Sequence, residues 1–93
     1  MSSERLAREL SGTSYRGWKF YVDDPEPFFF FSHPRGGVTV YCTPDWEEDN
    51  VIAIQVQSED GRVVEGIVNI PFFVRTKQRF MEAVRPWLDK YQP

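Results

Sequence analysis

From Tyr15 to Ile70 the chain alternates apolar and polar side chains in short runs broken by Pro, Gly and Asp; beyond Thr76 the apolar positions recur at helical spacing. Tyr15 to Val22 puts Trp18, Phe20 and Val22 on one side and Lys19 and Tyr21 on the other, and ends at Asp23-Asp24-Pro25-Glu26-Pro27. Phe28 to His33 predicts a second strand, Pro34-Arg35-Gly36-Gly37 a turn, and Val38 to Thr43 a third strand. Asn50 to Gln57 alternates Ile52, Ile54 and Val56 against Ala53, Gln55 and Gln57. Glu59-Asp60-Gly61 then supplies a hairpin loop before a fifth strand from Arg62 to Ile70.

Helical patterns flank these strands. Ser2 or Ser3 caps a short helix over residues 3–11, with Leu6 and Leu10 on one face and Gly12 as its stop. Near the C-terminus Phe80, Val84, Trp87, Leu88 and Tyr91 form an apolar stripe, and Pro86 within it predicts a kink or a restart. The expected fold class is α+β, a single domain over residues 1–93. It is a five-stranded antiparallel meander with a short N-terminal helix and a longer amphipathic C-terminal helix packed on one face.

Strand register decides which side chains share a face. With Val22 opposite Pro27 and His33 opposite Val38, the residues Trp18, Phe20, Phe29, Phe31, Val40 and Cys42 fall together as core. A three-residue loop pairing Ser58 with Arg62 groups Ile52, Ile54, Val56, Val64, Val68 and Ile70 in the same layer, under the C-terminal stripe. The opposite face then carries Lys19, Tyr21, Phe28, Phe30, Thr39, Tyr41 and Thr43, continued by Gln55, Gln57, Val63, Glu65 and Ile67.

Composition adds an aromatic load of eight Phe, four Tyr and three Trp in 93 residues, which lets a small chain bury much area from few positions. A net charge of −3 weighs against a generic nucleic-acid coat. The lone cysteine, Cys42, excludes an intramolecular disulfide framework and any multi-cysteine zinc site. Met1 to Leu10 has no apolar segment of secretory type, and the Phe28–Phe31 run is far below the roughly 20 residues that cross a bilayer. The expected setting is cytoplasmic, with no membrane partner and no cofactor.

The rings Tyr21, Phe28, Phe30 and Tyr41 are the foremost candidate site, because a bare aromatic sheet face marks an interaction surface. The competing reading has the N-terminal helix covering them through Leu6 and Leu10. A second candidate is the acidic segment around Trp46, Glu47 and Glu48, a ring among carboxylates suited to a basic partner; the alternative is a solvated loop whose Trp closes over the core. Arg75, Lys77 and Arg79 crowd the start of the last helix, where the macrodipole disfavours cations, so either acidic loops of the chain or an external anion or partner should offset them. Cys42 and His33 form the one conceivable nucleophile and base, yet they sit four rungs apart across the hairpin, roughly 13 Å. Phosphate-loop, dinucleotide, nucleophile-elbow and zinc-protease patterns are absent from the sequence.

These observations lead to the expectation of a non-enzymatic protein-binding module, of adaptor, inhibitor or chaperone-like type, that uses the aromatic face and the acidic Trp segment. The alternative is a single-stranded nucleic-acid binder that stacks bases on the same rings, with Lys19, Arg16 and Arg35 holding phosphates. The partner expected is another protein, and a homodimer through the aromatic face or the sheet edges is a further option.

Overall fold

A computed structural model describes residues 3–23, 28–45, 51–71 and 76–93. Along these residues the chain forms α1 (Ser3–Leu10), β1 (Ser14–Tyr15), β2 (Trp18–Asp23), β3 (Phe28–Ser32), β4 (Val38–Asp45), β5 (Val51–Ser58), β6 (Val63–Pro71) and α2 (Lys77–Lys90). The strands make one antiparallel sheet in sequential order, β1 to β6, so each strand pairs with its neighbour in the chain. The class is α+β as expected, but the sheet has six strands and not five.

The extra strand comes from a hairpin hidden inside the Tyr15 to Val22 pattern. Tyr15 pairs with Trp18 across Arg16 and Gly17, whose φ angles of 50° and 90° are both positive, as a tight type I′ turn demands. Glycine is the residue that reaches this region without strain, and a Cβ at Gly17 would run into the His33 imidazole.

Alternation builds one dry side. Trp18, Phe20, Phe29, Phe31, Val40, Cys42, Ile52, Ile54 and Val56 are buried together beneath Phe80, Met81, Val84 and Leu88 of α2. Phe20 meets Phe29, Phe31 and Phe80 edge-on at 5.3, 5.5 and 6.2 Å between ring centres, the preferred approach of aromatic quadrupoles. Leu6 and Leu10 of α1 are fully buried in this same cluster. The competing expectation, that α1 covers the opposite face, is therefore overturned: its apolar stripe is already engaged beside α2.

The end of α2 is tied to the first hairpin. The buried Trp18 indole N–H donates to the Leu88 carbonyl and to Gln92 Oε1, both at 3.1 Å, and so satisfies a carbonyl that a terminating helix leaves without an intrahelical partner. Asp89 accepts from Tyr15 Oη at 2.8 Å and from Arg16 Nη1 at 2.9 Å, and Gln92 Nε2 donates to the Arg16 carbonyl at 2.9 Å. At its other end Thr76 caps α2 by accepting the Arg79 N–H at 3.2 Å. Pro86 lies inside one uninterrupted helix, so the restart expected there does not occur.

Two registers differ from expectation. Val22 faces Phe29, not Pro27, a slip of two residues that leaves every side chain on its assigned face. Between β5 and β6 the hairpin starts as expected, with Gln57 opposite Val63, but Val56 then meets Glu65 and Ile54 meets Val68. The two bulges turn Glu65 toward α2, where Tyr91 Oη donates to it at 2.6 Å and Lys90 Nζ at 3.2 Å. Glu65 thus leaves the open face to which the simple register assigned it. Val64 is displaced from the core layer to 46% exposure, and Val68, at the sheet margin, keeps 38%.

Trp18→Phe should lower stability by about 2–4 kcal/mol, because it leaves a cavity and strips the Leu88 carbonyl of its donor; the shift of the urea midpoint measures it. Tyr91, then Lys90, hold the Glu65 carboxyl below its usual range, and Tyr15, then Arg16, do the same for Asp89. A depressed folded pKa stabilises the fold above the unfolded carboxylate value of about 4 and loses that contribution as pH falls through the folded value. Stability should hold between pH 7 and 5 and fall below about pH 4, and Glu65→Gln should show a smaller acid loss than the wild type in urea titrations at each pH.

Candidate functional site: an aromatic face on the open side of the sheet

The residues that point away from the helices form rows across the strands, because antiparallel partners share a face. The central row runs Tyr21, Phe30, Tyr41, Gln55 over four consecutive strands. Tyr21 and Phe30 stack at 5.4 Å with planes 21° apart, and Phe30 and Tyr41 sit 5.6 Å apart at 44°. Adjacent rows hold Lys19, Ser32, Thr39, Gln57 and Val63 on one side, and Asp23 with Phe28, then Thr43, Ala53 and Asn69, on the other. Tyr21 keeps 46% of its surface exposed, Phe28 45% and Ile67 65%; Phe30 and Tyr41 are half-buried by their neighbours in the row. The structure brings together the four rings that the alternation selected.

A groove of about 530 Å³ is lined by Phe28, Tyr41, Thr43, Ala53 and Ile67, together with Asp23, Gln55 and Gln57. Its origin is local. The β3–β4 pairing stops at Phe30 opposite Tyr41, and the Phe29 N–H donates to the Thr43 hydroxyl at 3.1 Å, whereas β4 and β5 stay paired as far as Asp45 and Val51. A side-chain acceptor thus ends the ladder and leaves Phe28 standing over a recess. Ile67 enters at the bulge opposite Gln55, and the Gln57 amide donates to Gln55 Oε1 at 2.9 Å beside it. Gly66 inside a strand was the available signal for that bulge.

Among the described residues charge is sparse on this surface. Along β2 the open face reads Lys19, Tyr21, Asp23, one cation and one anion on either side of a ring, and neither makes an ion pair among the described residues. Asp45 lies at the far end of β4. Of the other cations considered for phosphate binding, Arg16 is held against Asp89 of α2 at 2.9 Å, and Arg35 belongs to the β3–β4 turn beyond the end of the sheet. Two of the three proposed phosphate contacts are therefore away from the ring row.

The remaining candidates stand apart. Trp46, Glu47, Glu48 and Arg75 lie outside the described residues. Lys77 and Arg79 are exposed on the first turn of α2, where Arg79 Nη1 is 3.1 Å from Glu82 Oε2, so an acid of the same helix offsets that cation. Cys42 is fully buried opposite Ile54, and desolvation pushes its thiol well above the usual range, which suppresses the thiolate. His33 lies past the other end of the β3–β4 pairing, its Nε2 3.2 Å from the Arg16 carbonyl and its Nδ1 accepting the Arg35 N–H at 3.0 Å. The two are not brought together. Among the described residues no group of three or more His, Cys, Asp and Glu could hold a metal ion, and no helix is long and apolar enough to cross a membrane.

Comparison with protein-family models, with curated proteins and with solved structures gives no match, so the functional reading stands on the geometry of this face.

Proposed function

We propose that the protein is a non-enzymatic binding module that docks another protein on the open face of its sheet. The observation that supports this reading is the Tyr21–Phe30–Tyr41 row, flanked by Phe28 and Ile67, on a surface from which both helices are absent. An aromatic centre depleted in charge, with polar residues at its margin, is the composition of an interface core. Adaptor, inhibitor and chaperone-like roles all use such a surface. The engaged nitrogens of His33 and the buried thiol of Cys42 favour binding over chemistry.

Base stacking on the same rings is the second reading, and the ring row itself favours it. Lys19 as the single cation of the rows described above weighs against it, since single strands are held largely by phosphate contacts.

The double variant Phe28→Ser, Tyr41→Ser should lose partner capture in a pulldown while each change costs no more than about 1 kcal/mol of stability. Phe29→Ser, one residue along but in the core, should cost at least about 3 kcal/mol. Unfolding of the double variant would mean that the rings are core after all. A fluorescence titration with short oligonucleotides at low salt should show no binding; saturable, salt-sensitive binding would replace the protein-docking reading with the stacking one.

A further inference from the structure

We infer that the occupant of the open face is a second copy of the chain, packed face to face about a two-fold axis lying along the Tyr21–Phe30–Tyr41 row. The inference rests on reading that face as a docking surface, and adds the identity of the partner.

The operator follows from the register. A two-fold axis in the plane between two sheets, running across the strands, sets each strand antiparallel over its own copy. It also carries the twist of the sheet onto itself, so the two saddle-shaped surfaces stay evenly spaced, about 10 Å apart as in other sheet-on-sheet packings. Residues two positions before the row then meet residues two positions after it. On β2, Lys19 comes to lie over Asp23 of the second copy and Asp23 over its Lys19, which satisfies both unpaired charges at once. On β3 the protruding Phe28 meets Ser32, and on β5 Ala53, in the floor of the groove, meets Gln57. On β3 and β5 a larger side chain is thus opposed by a smaller one, and on β4 Thr39 meets Thr43.

No arbitrary partner is required to supply this complementarity: the Lys19 and Asp23 charges are self-complementary about one line of residues, along which each ring meets its own copy. Size agrees as well. Strands β2 to β6, at about 4.8 Å spacing and roughly seven residues of about 3.3 Å, give a footprint of roughly 550 Å². Side-chain relief brings the accessible area toward the ~800 Å² per partner of a standard interface.

Sedimentation equilibrium of the full chain from low micromolar to several hundred micromolar should show a monomer–dimer equilibrium. Lys19→Asp and Asp23→Lys should each weaken self-association by about tenfold or more, because each sets like charges opposite one another twice. An equimolar mixture of the two variants should associate about as tightly as the wild type, since one copy then offers two acids and the other two bases. Recovery on mixing cannot arise from misfolded variants. A wild type that stays monomeric throughout overturns the inference; so do single variants that dimerise like the wild type, or a mixture no tighter than its components. If the wild type is monomeric and the Phe28→Ser, Tyr41→Ser variant still loses capture of another protein, the docking face stands and only the second-copy inference falls. If the wild type dimerises and that ring variant dimerises equally well, the dimer uses another surface and the inference falls too.

Discussion

The constraint on which the structure depends is the engagement of both helices on one side of a single sheet. A sheet has two faces, and the described residues supply helical stripes for one: Leu6 and Leu10 of α1 and Phe80, Met81, Val84 and Leu88 of α2 are all buried in the same cluster. Trp18 fixes the arrangement. Its ring fills the core, its N–H closes the carboxyl end of α2, and its position follows from the two-residue turn at Arg16 and Gly17. With the helices held there, the rings of Tyr21, Phe28, Phe30 and Tyr41 face away from all the helical cover that the chain possesses among its described residues.

Sequence pattern carried much of this because strand periodicity is strict. A side chain's face is set by parity along the strand, so the slip of Val22 from Pro27 to Phe29 changed the pairing and left the two faces intact. Pairing across the Pro34–Gly37 turn was legible to the residue, since His33 opposite Val38 continues to Phe30 opposite Tyr41. The row at the centre of the candidate site could therefore be assembled from the chain alone.

What escaped was whatever breaks parity or depends on distant partners. The hairpin at Arg16 and Gly17 is short enough to pass for one continuous strand, and Gly17 was its only mark. The bulges of β6 move Glu65 across the sheet, a change set by Tyr91 and Lys90 some 26 and 25 residues away in the chain. The position of α1 was likewise undetermined, because Leu6 and Leu10 suit either face and only the packing against α2 decides between them. Termination of the β3–β4 ladder by the Thr43 hydroxyl, which opens the groove beside Phe28, has no counterpart in the hydrophobic pattern.

The most direct measurement of the central claim is hydroxyl-radical footprinting of the chain, at a dilution where sedimentation shows monomer, with oxidation read residue by residue. One-sided helical cover predicts rapid modification of Tyr21 and Phe28 and strong protection of Trp18 and Phe29, their neighbours on the same strands but on the opposite face. Equal protection of Tyr21, Phe28, Trp18 and Phe29 in the monomer would mean that the chain covers both faces itself, and would contradict the account.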